Sequence, residues 1–185
     1  MIGYDLTESA NEKLKGVSRT RSLEIILELA GVSLSEEEKV KIAEKKNNWF
    51  VEYIKNMNAD EIFPGVKPAL QQLRKDGIKV ALASSSKNAE TVIKILGIQN
   101  DFDTIVDGAM IVHTKPDPEI FLRASQKLNV QPHQCIVFED AESGVEAALR
   151  AGMKCVGVGK EEQLYRAHAV VNAVQDFDFK QLQSL

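Results

Sequence analysis

A chain of 185 residues with 44% hydrophobic and 27% charged side chains and a formal net charge of −4 has the make-up of an ordinary globular protein, long enough to bury a core. The acidic balance, with basic residues scattered and no basic arm or aromatic-interleaved patch, argues against a nucleic-acid partner. No apolar run approaches the roughly 20 residues needed to span a bilayer, and the chain does not open on a charged segment followed by an apolar one, so no membrane role is expected.

The first third reads as helix throughout. After Gly16-Val17-Ser18-Arg19, the apolar positions Leu23, Ile26, Leu27 and Ala30 follow helical spacing and Gly31 supplies a stop. Ser35 with Glu38 predicts a capping box for a second helix, whose mainly apolar face (Val40, Ala43, Phe50, Val51, Ile54) also carries Asn47 beside Lys46. Pro64-Gly65 then marks a change from helices alone to strand alternating with helix.

From that turn onward the units repeat. A helix carrying Ala69, Leu70 and Leu73 stops at Gly77, and 78–83 follows as a strand ending in Ser84-Ser85-Ser86. A helix is predicted over 88–96, a short strand over 102–106, and a helix from the Lys115-Pro116-Asp117-Pro118 break to about Leu128. The apolar run from Cys135 to Phe138, without polar alternation, predicts a strand buried on both faces, followed by a helix over 143–151 and a strand over 153–158. A weak strand over 169–171 and a short terminal helix complete the chain. This alternation implies parallel strands with right-handed crossovers, an α/β architecture of Rossmann-like type. Cys135 and Cys155 each lie inside an apolar strand-like run, which suits two small core residues in a reducing cytoplasm better than a disulfide or metal pair.

Several polar groups stand at strand ends, where open α/β sheets place their ligands. Glu139-Asp140 follow the Cys135 strand directly; a solvated acidic loop and a ligand site are both open readings. Ser84-Ser85-Ser86-Lys87-Asn88 leaves a strand and enters a helix, a setting that suits phosphate and equally a serine-capped loop. Lys115, beside a rigid proline turn, is either a positioned charge for phosphate or a solvated lysine. Arg19 after the Gly16-Val17-Ser18 turn can grip an anion with two donors, or Ser18 is a helix cap and Arg19 a surface charge; Lys46 and Asn47 share that ambiguity. His113, His133 and His168 show no metal-ligand spacing and are read as structural or solvated, and Trp49 and Phe50 as packing.

Taken in order, a strand ending in Ser84, Lys115 before a proline, and a strand ending in Glu139-Asp140 resemble the second, third and fourth motifs of the haloacid dehalogenase superfamily. The resemblance implies a helical cap domain over 1–62 and a Rossmann-like core domain over 63–185. More narrowly, Lys15-Gly16-Val17-Ser18-Arg19, Lys46-Asn47, Leu82-Ala83-Ser84-Ser85-Ser86-Lys87-Asn88 and Lys115-Pro116 resemble the β-phosphoglucomutase branch, which interconverts β-glucose 1-phosphate and glucose 6-phosphate. By that resemblance Glu139 and Asp140 hold Mg²⁺, Ser84 and Lys115 hold the phosphoryl group in transfer, and Arg19 with Ser86, Lys87 and Asn88 grips the second phosphate of a bisphosphate intermediate. Gly16, Val17, Ser18, Lys46, Asn47 and Ser85 fall on its remaining substrate-binding positions. The partner implied is a phosphorylated sugar, and the full-length protein a cytoplasmic monomer.

One departure stands out. The superfamily's Asp-x-Asp motif, which supplies the nucleophile and the general acid/base, has no match. Asp5-Leu6-Thr7 is rejected for it, because Met1 to Gly3 is too short for a buried strand and residues 11–19 follow too closely to leave room for a first cap helix. The chain is thus expected to lack the first core strand, between the Ser84 and Glu139-Asp140 strands, and the first cap helix. Three readings follow: an enzyme of this branch given as an N-terminally incomplete, inactive sequence; a non-catalytic phosphate- or metal-binding remnant, or a subunit that borrows a strand; and a sugar-phosphate phosphatase.

Overall fold

The computed structural model describes residues 4–12 and 14–183; Met1 to Gly3, expected to be too short for a strand, lie outside them. Its first elements are helices: α1 (Glu8–Glu12), α2 (Arg19–Ala30) and α3 (Glu36–Ile54). Ser18 caps α2 by accepting the Arg21 N–H at 3.2 Å, and Gly31, at φ 64°, closes it in a left-handed turn. The capping box of α3 forms as expected, with Ser35 Oγ accepting from Glu38 N at 3.3 Å and the Glu38 carboxylate accepting from Ser35 N at 2.9 Å.

Strands and helices then alternate: α4 (Val66–Lys75), β1 (Ala81–Ala83), α5 (Ala89–Ile95), β2 (Thr104–Val106), α6 (Glu119–Leu128), β3 (Ile136–Glu139), α7 (Glu142–Arg150), β4 (Lys154–Val158), α8 (Glu161–Leu164) and β5 (Ala169–Val171). Every strand pairing is parallel, as the alternation requires. The core lies between the strands and α6, α7 and α8, where Val106, Ile120, Val145, Ala147, Ala148, Cys155 and Leu164 are all at most 1% exposed. On β3, Phe138 stacks on Phe179 and meets Phe177 edge-on, with centroids 5.6 and 5.1 Å away.

Two strands and the terminal helix depart from expectation. The strand predicted over 78–83 begins at Ala81: the Val80 carbonyl still accepts from the Asp103 N–H at 2.8 Å, but the Val80 N–H donates to the Asp103 carboxylate at 2.7 Å, and Lys79 Nζ donates to the Leu128 carbonyl. The same Asp103 brace shortens the 102–106 strand to three residues. The terminal helix is a pair of 3-10 turns, Val174–Asp176 and Phe179–Gln183.

The strands form two sheets, parted between the Ser84 strand and the Glu139 strand. β1 pairs with β2, and β3, β4 and β5 pair in that order; among the described residues no ladder joins β1 to β3. A cavity of about 410 Å³ opens where they part, bounded by Leu82 and Ala83 on one side and by Phe138 and Glu139 on the other.

Candidate active site

The mouth of that cavity is built from strand ends and the turn before α2. Ser84, Ser85 and Ser86 line it from the β1 side, Glu139 and Asp140 from the β3 side, and Lys115 with Gly16 and Val17 complete it. Ser84 leaves β1 with its N–H on the Val106 carbonyl at 2.9 Å. The loop beyond then folds on its own hydroxyls: Ser84 Oγ accepts from Ser86 N and Ser86 Oγ accepts from Asn88 N, each at 3.2 Å. Ser85 Oγ donates to the Gly16 carbonyl at 2.7 Å, and Ser143 Oγ to the Lys15 carbonyl at 3.2 Å, so one turn is fastened to both halves of the site. Gly16 permits this approach: at φ 74° it has the backbone that L side chains avoid, and a Cβ there would stand 2.5 Å from Ser143 Oγ.

Two buried charges form the floor. Lys115 Nζ lies 2.7 Å from Glu139 Oε2, with the side chains 5% and 7% exposed, and 4.8 Å from the centre of the Phe121 ring. Burial pushes the Glu139 carboxyl above its ordinary range, with the Lys115 ammonium pulling it back and Asp140 adding to the rise. Beneath them the Cys155 thiol, fully buried, is pushed up to about 12 by burial first and by Glu139 second, so it is an inert core group. Asp140 is exposed at the cavity rim. Two adjacent carboxylates of hard oxygen, one buried and one open to the same cavity, are a donor set that fits a divalent cation such as Mg²⁺.

The remaining expected residues lie apart from this lining. Ser18 spends its hydroxyl on capping α2, and Arg19 begins that helix half-buried. Lys46 is exposed, 5.7 Å from the Phe50 ring centre, and Lys87 is exposed on the serine loop. Asn47 and Asn88 are hydrogen-bonded to each other at 3.0 Å.

Two glycines shape the site that sequence reasoning left without a role. Gly144, in the first turn of α7, leaves the room that the Glu139 side chain fills, since a Cβ there would overlap the carboxylate. Gly108 abuts the serine loop: its N–H donates to the Ser86 carbonyl at 3.3 Å, and a Cβ would overlap the Ser85 carbonyl. The available signal was Asp107-Gly108 directly after β2, a turn pair at the same end of the sheet as Ser84.

His113, Asp117 and Glu119 form a separate cluster with donor atoms within 4.8 Å of one another. Glu119 is already committed there, accepting from the Val112 and His113 N–H groups and from Arg123 Nε, so it braces the loop before α6. No helix among the described residues is long and apolar enough to cross a membrane.

The profile of the haloacid dehalogenase-like hydrolases matches residues 5–152. The chain is 40% identical over 183 residues to β-phosphoglucomutase of Bacillus subtilis, covering 98% of this chain and 81% of that protein. It is 34% identical over 177 residues to a phosphorylated carbohydrates phosphatase of Thermotoga maritima, covering 94% and 74%. The crystal structure of a β-phosphoglucomutase from Clostridium difficile superposes with a TM-score of 0.94 at 43% identity, covering 99% of this chain and 83% of that one.

Proposed function

The chain belongs to the haloacid dehalogenase-like hydrolase family, and from that premise we propose phosphoryl transfer on a sugar phosphate of the β-phosphoglucomutase kind, interconverting β-glucose 1-phosphate and glucose 6-phosphate through a bisphosphate. The observation that carries it is the meeting of Ser84, Lys115, Glu139 and Asp140 around one cavity at the carboxyl ends of parallel strands.

Residues 1–62 serve as a helical cap and 63–185 as the core. Ser84 and Lys115 hold the phosphoryl group: the hydroxyl donates a hydrogen bond and the ammonium offsets charge on the phosphoryl oxygens. Glu139 and Asp140 would hold Mg²⁺, which when bound supplies positive charge opposite the phosphate. Arg19, Ser86, Lys87 and Asn88 grip the second phosphate, while Gly16, Val17, Ser18, Ser85, Lys46 and Asn47 shape the sugar side. Closing the cap keeps water from the phosphoryl group, so that it returns to the sugar.

Among the described residues the carboxylates lining the cavity are Glu139 and Asp140, both assigned to the cation, which leaves none of them to act as nucleophile. On this reading the chain by itself binds its substrate without turning it over. A phosphatase is the second reading, supported by the 34% identity to the carbohydrate phosphatase.

Calorimetry with β-glucose 1-phosphate and Mg²⁺, followed by phosphorus NMR of the mixture, tests this. Binding that Asp140→Ala abolishes is expected, with no new phosphorus signal. Glucose 6-phosphate would keep the mutase reading and remove the claim of inactivity; inorganic phosphate would favour the phosphatase. No binding, or turnover that survives Asp140→Ala, overturns the site.

A further inference from the structure

Asn47 and Asn88 are expected as two separate substrate contacts, yet the structure joins them to each other. The Asn88 side-chain amide donates to Asn47 Oδ1 at 3.0 Å, and both residues are half-buried. Asn47 lies within the 19-residue helix α3, whereas Asn88 ends the serine loop as the N-cap residue of α5. An asparagine at that position ordinarily turns its side chain onto the helix's own first N–H groups. Asn88 makes no such bond; its backbone N–H is held by Ser86 Oγ and its side chain reaches across to α3. The turn before α2 has its own ties, through Ser85 and Ser143, whereas among the described residues the hydrogen bond that joins α3 to the serine loop is the amide pair.

We propose that Asn47 and Asn88 form a latch that holds the helical cap closed over the serine loop before any ligand arrives. The proposal rests on the reading of residues 1–62 as a cap. One hydrogen bond between neutral, half-buried amides biases an equilibrium by roughly a factor of 2 to 10. That bias favours closure while still allowing the cap to open and exchange ligand. The latch also fixes the position of Asn47 on α3 against the loop.

Asparagine carries a donor and an acceptor, and aspartate at neutral pH carries acceptors only. Either single variant, Asn47→Asp or Asn88→Asp, therefore keeps one amide facing one oxygen and preserves the latch. The double variant sets two carboxylates against each other and opens it. Two independent ligand contacts predict instead that the ligand-free protein is unaffected by all three.

The test is a distance distribution by pulsed electron resonance in the ligand-free chain, with spin labels at Glu44→Cys on α3 and Lys94→Cys on α5, both exposed positions, in a Cys135→Ser background. Cys155, at 0% exposure, stays unlabelled. Expected are a dominant short distance with a minor longer one for the parent and both single Asp variants, and a dominant longer one in the double variant. Asn47→Ala and Asn88→Ala each raise the open population by a factor of roughly 2 to 10, and combining them adds nothing further. Those alanine variants decide the matter if the double Asp variant does not fold. Unchanged distances in the alanine variants, or opening in a single Asp variant equal to that of the double, overturn the latch. Because no sugar phosphate is present, this outcome is independent of the binding test above.

Discussion

Lys115 and Glu139 form a buried ion pair, Nζ to Oε2 2.7 Å, at the foot of the cavity between the two sheets. Each charge is tolerable there only because of the other: removing one leaves the second desolvated and alone, at a cost of about 3 to 5 kcal/mol. Lys115→Met should lower the unfolding free energy in urea by that amount. Adding Glu139→Gln to Lys115→Met should recover most of it, because no unpaired charge is left. A Lys115→Met chain as stable as the parent would show that the pair is not buried in solution.

Gly144 gives a prediction of unusual sign. Replacing a helical glycine by alanine ordinarily stabilises a protein by roughly 0.5 to 1 kcal/mol. Here the added Cβ would occupy the space of the Glu139 carboxylate, so either that side chain or α7 has to move. Gly144→Ala should therefore destabilise by about 1 to 3 kcal/mol in the same titration and weaken binding of Mg²⁺. A gain in stability would mean that Glu139 does not rest against Gly144.

The parts of the fold that were legible in the sequence are those decided locally. Ser35 and Glu38 announced the start of α3, Gly31 the end of α2, and the apolar run after Cys135 the strand β3, although its Ile136 and Phe138 face is only half-buried where both faces were expected to be covered. The strand starting near Ile78 was overestimated because the competing partner of Val80, the Asp103 carboxylate, lies 23 residues away and leaves no mark in the local pattern. The acidic pair at the end of β3 pointed to a site, but the sequence did not show that Lys115 is bonded to Glu139, or that Asn47 meets Asn88. Both depend on how separate elements are brought together, and no periodicity records that. Gly108 was missed for the same reason: the loop it abuts belongs to another strand.

Glu119 predicts a response to acid. The N–H of His113 first, then the N–H of Val112 and the Arg123 guanidinium, favour its charged form and hold its pKa at about 2, against an ordinary 4.5. A carboxyl whose pKa is depressed by folding contributes stability above its unfolded pKa and loses it as pH falls toward the folded one. The contribution is thus present at neutral pH and lost between about pH 4.5 and pH 2. Melting temperatures of the parent and of Glu119→Gln should differ at neutral pH, with the parent higher, and converge near pH 2. A gap that does not change across this range would show that the brace does not depend on the charge.

The gap between the sheets can be tested amide by amide. N–H groups alternate in direction along a strand. Ser84 N–H points to β2, where it meets Val106, so Leu82 N–H points the same way and Ala83 N–H points to the cavity. On β3 the Cys135 carbonyl accepts from Lys154 on β4, so Val137 also faces β4 and Phe138 N–H faces the cavity. NMR-resolved hydrogen exchange should therefore be fast at Ala83 and Phe138 and slow at their neighbours Leu82 and Val137. The slowest amides should be those of Val156 and its neighbours on β4, which is paired on both sides. The comparison of adjacent residues removes differences in overall stability, since global unfolding exposes both members of each pair equally. Equal protection at Ala83 and Leu82 would mean that a backbone partner occupies the space between β1 and β3, and the cavity would then be a strand position already filled.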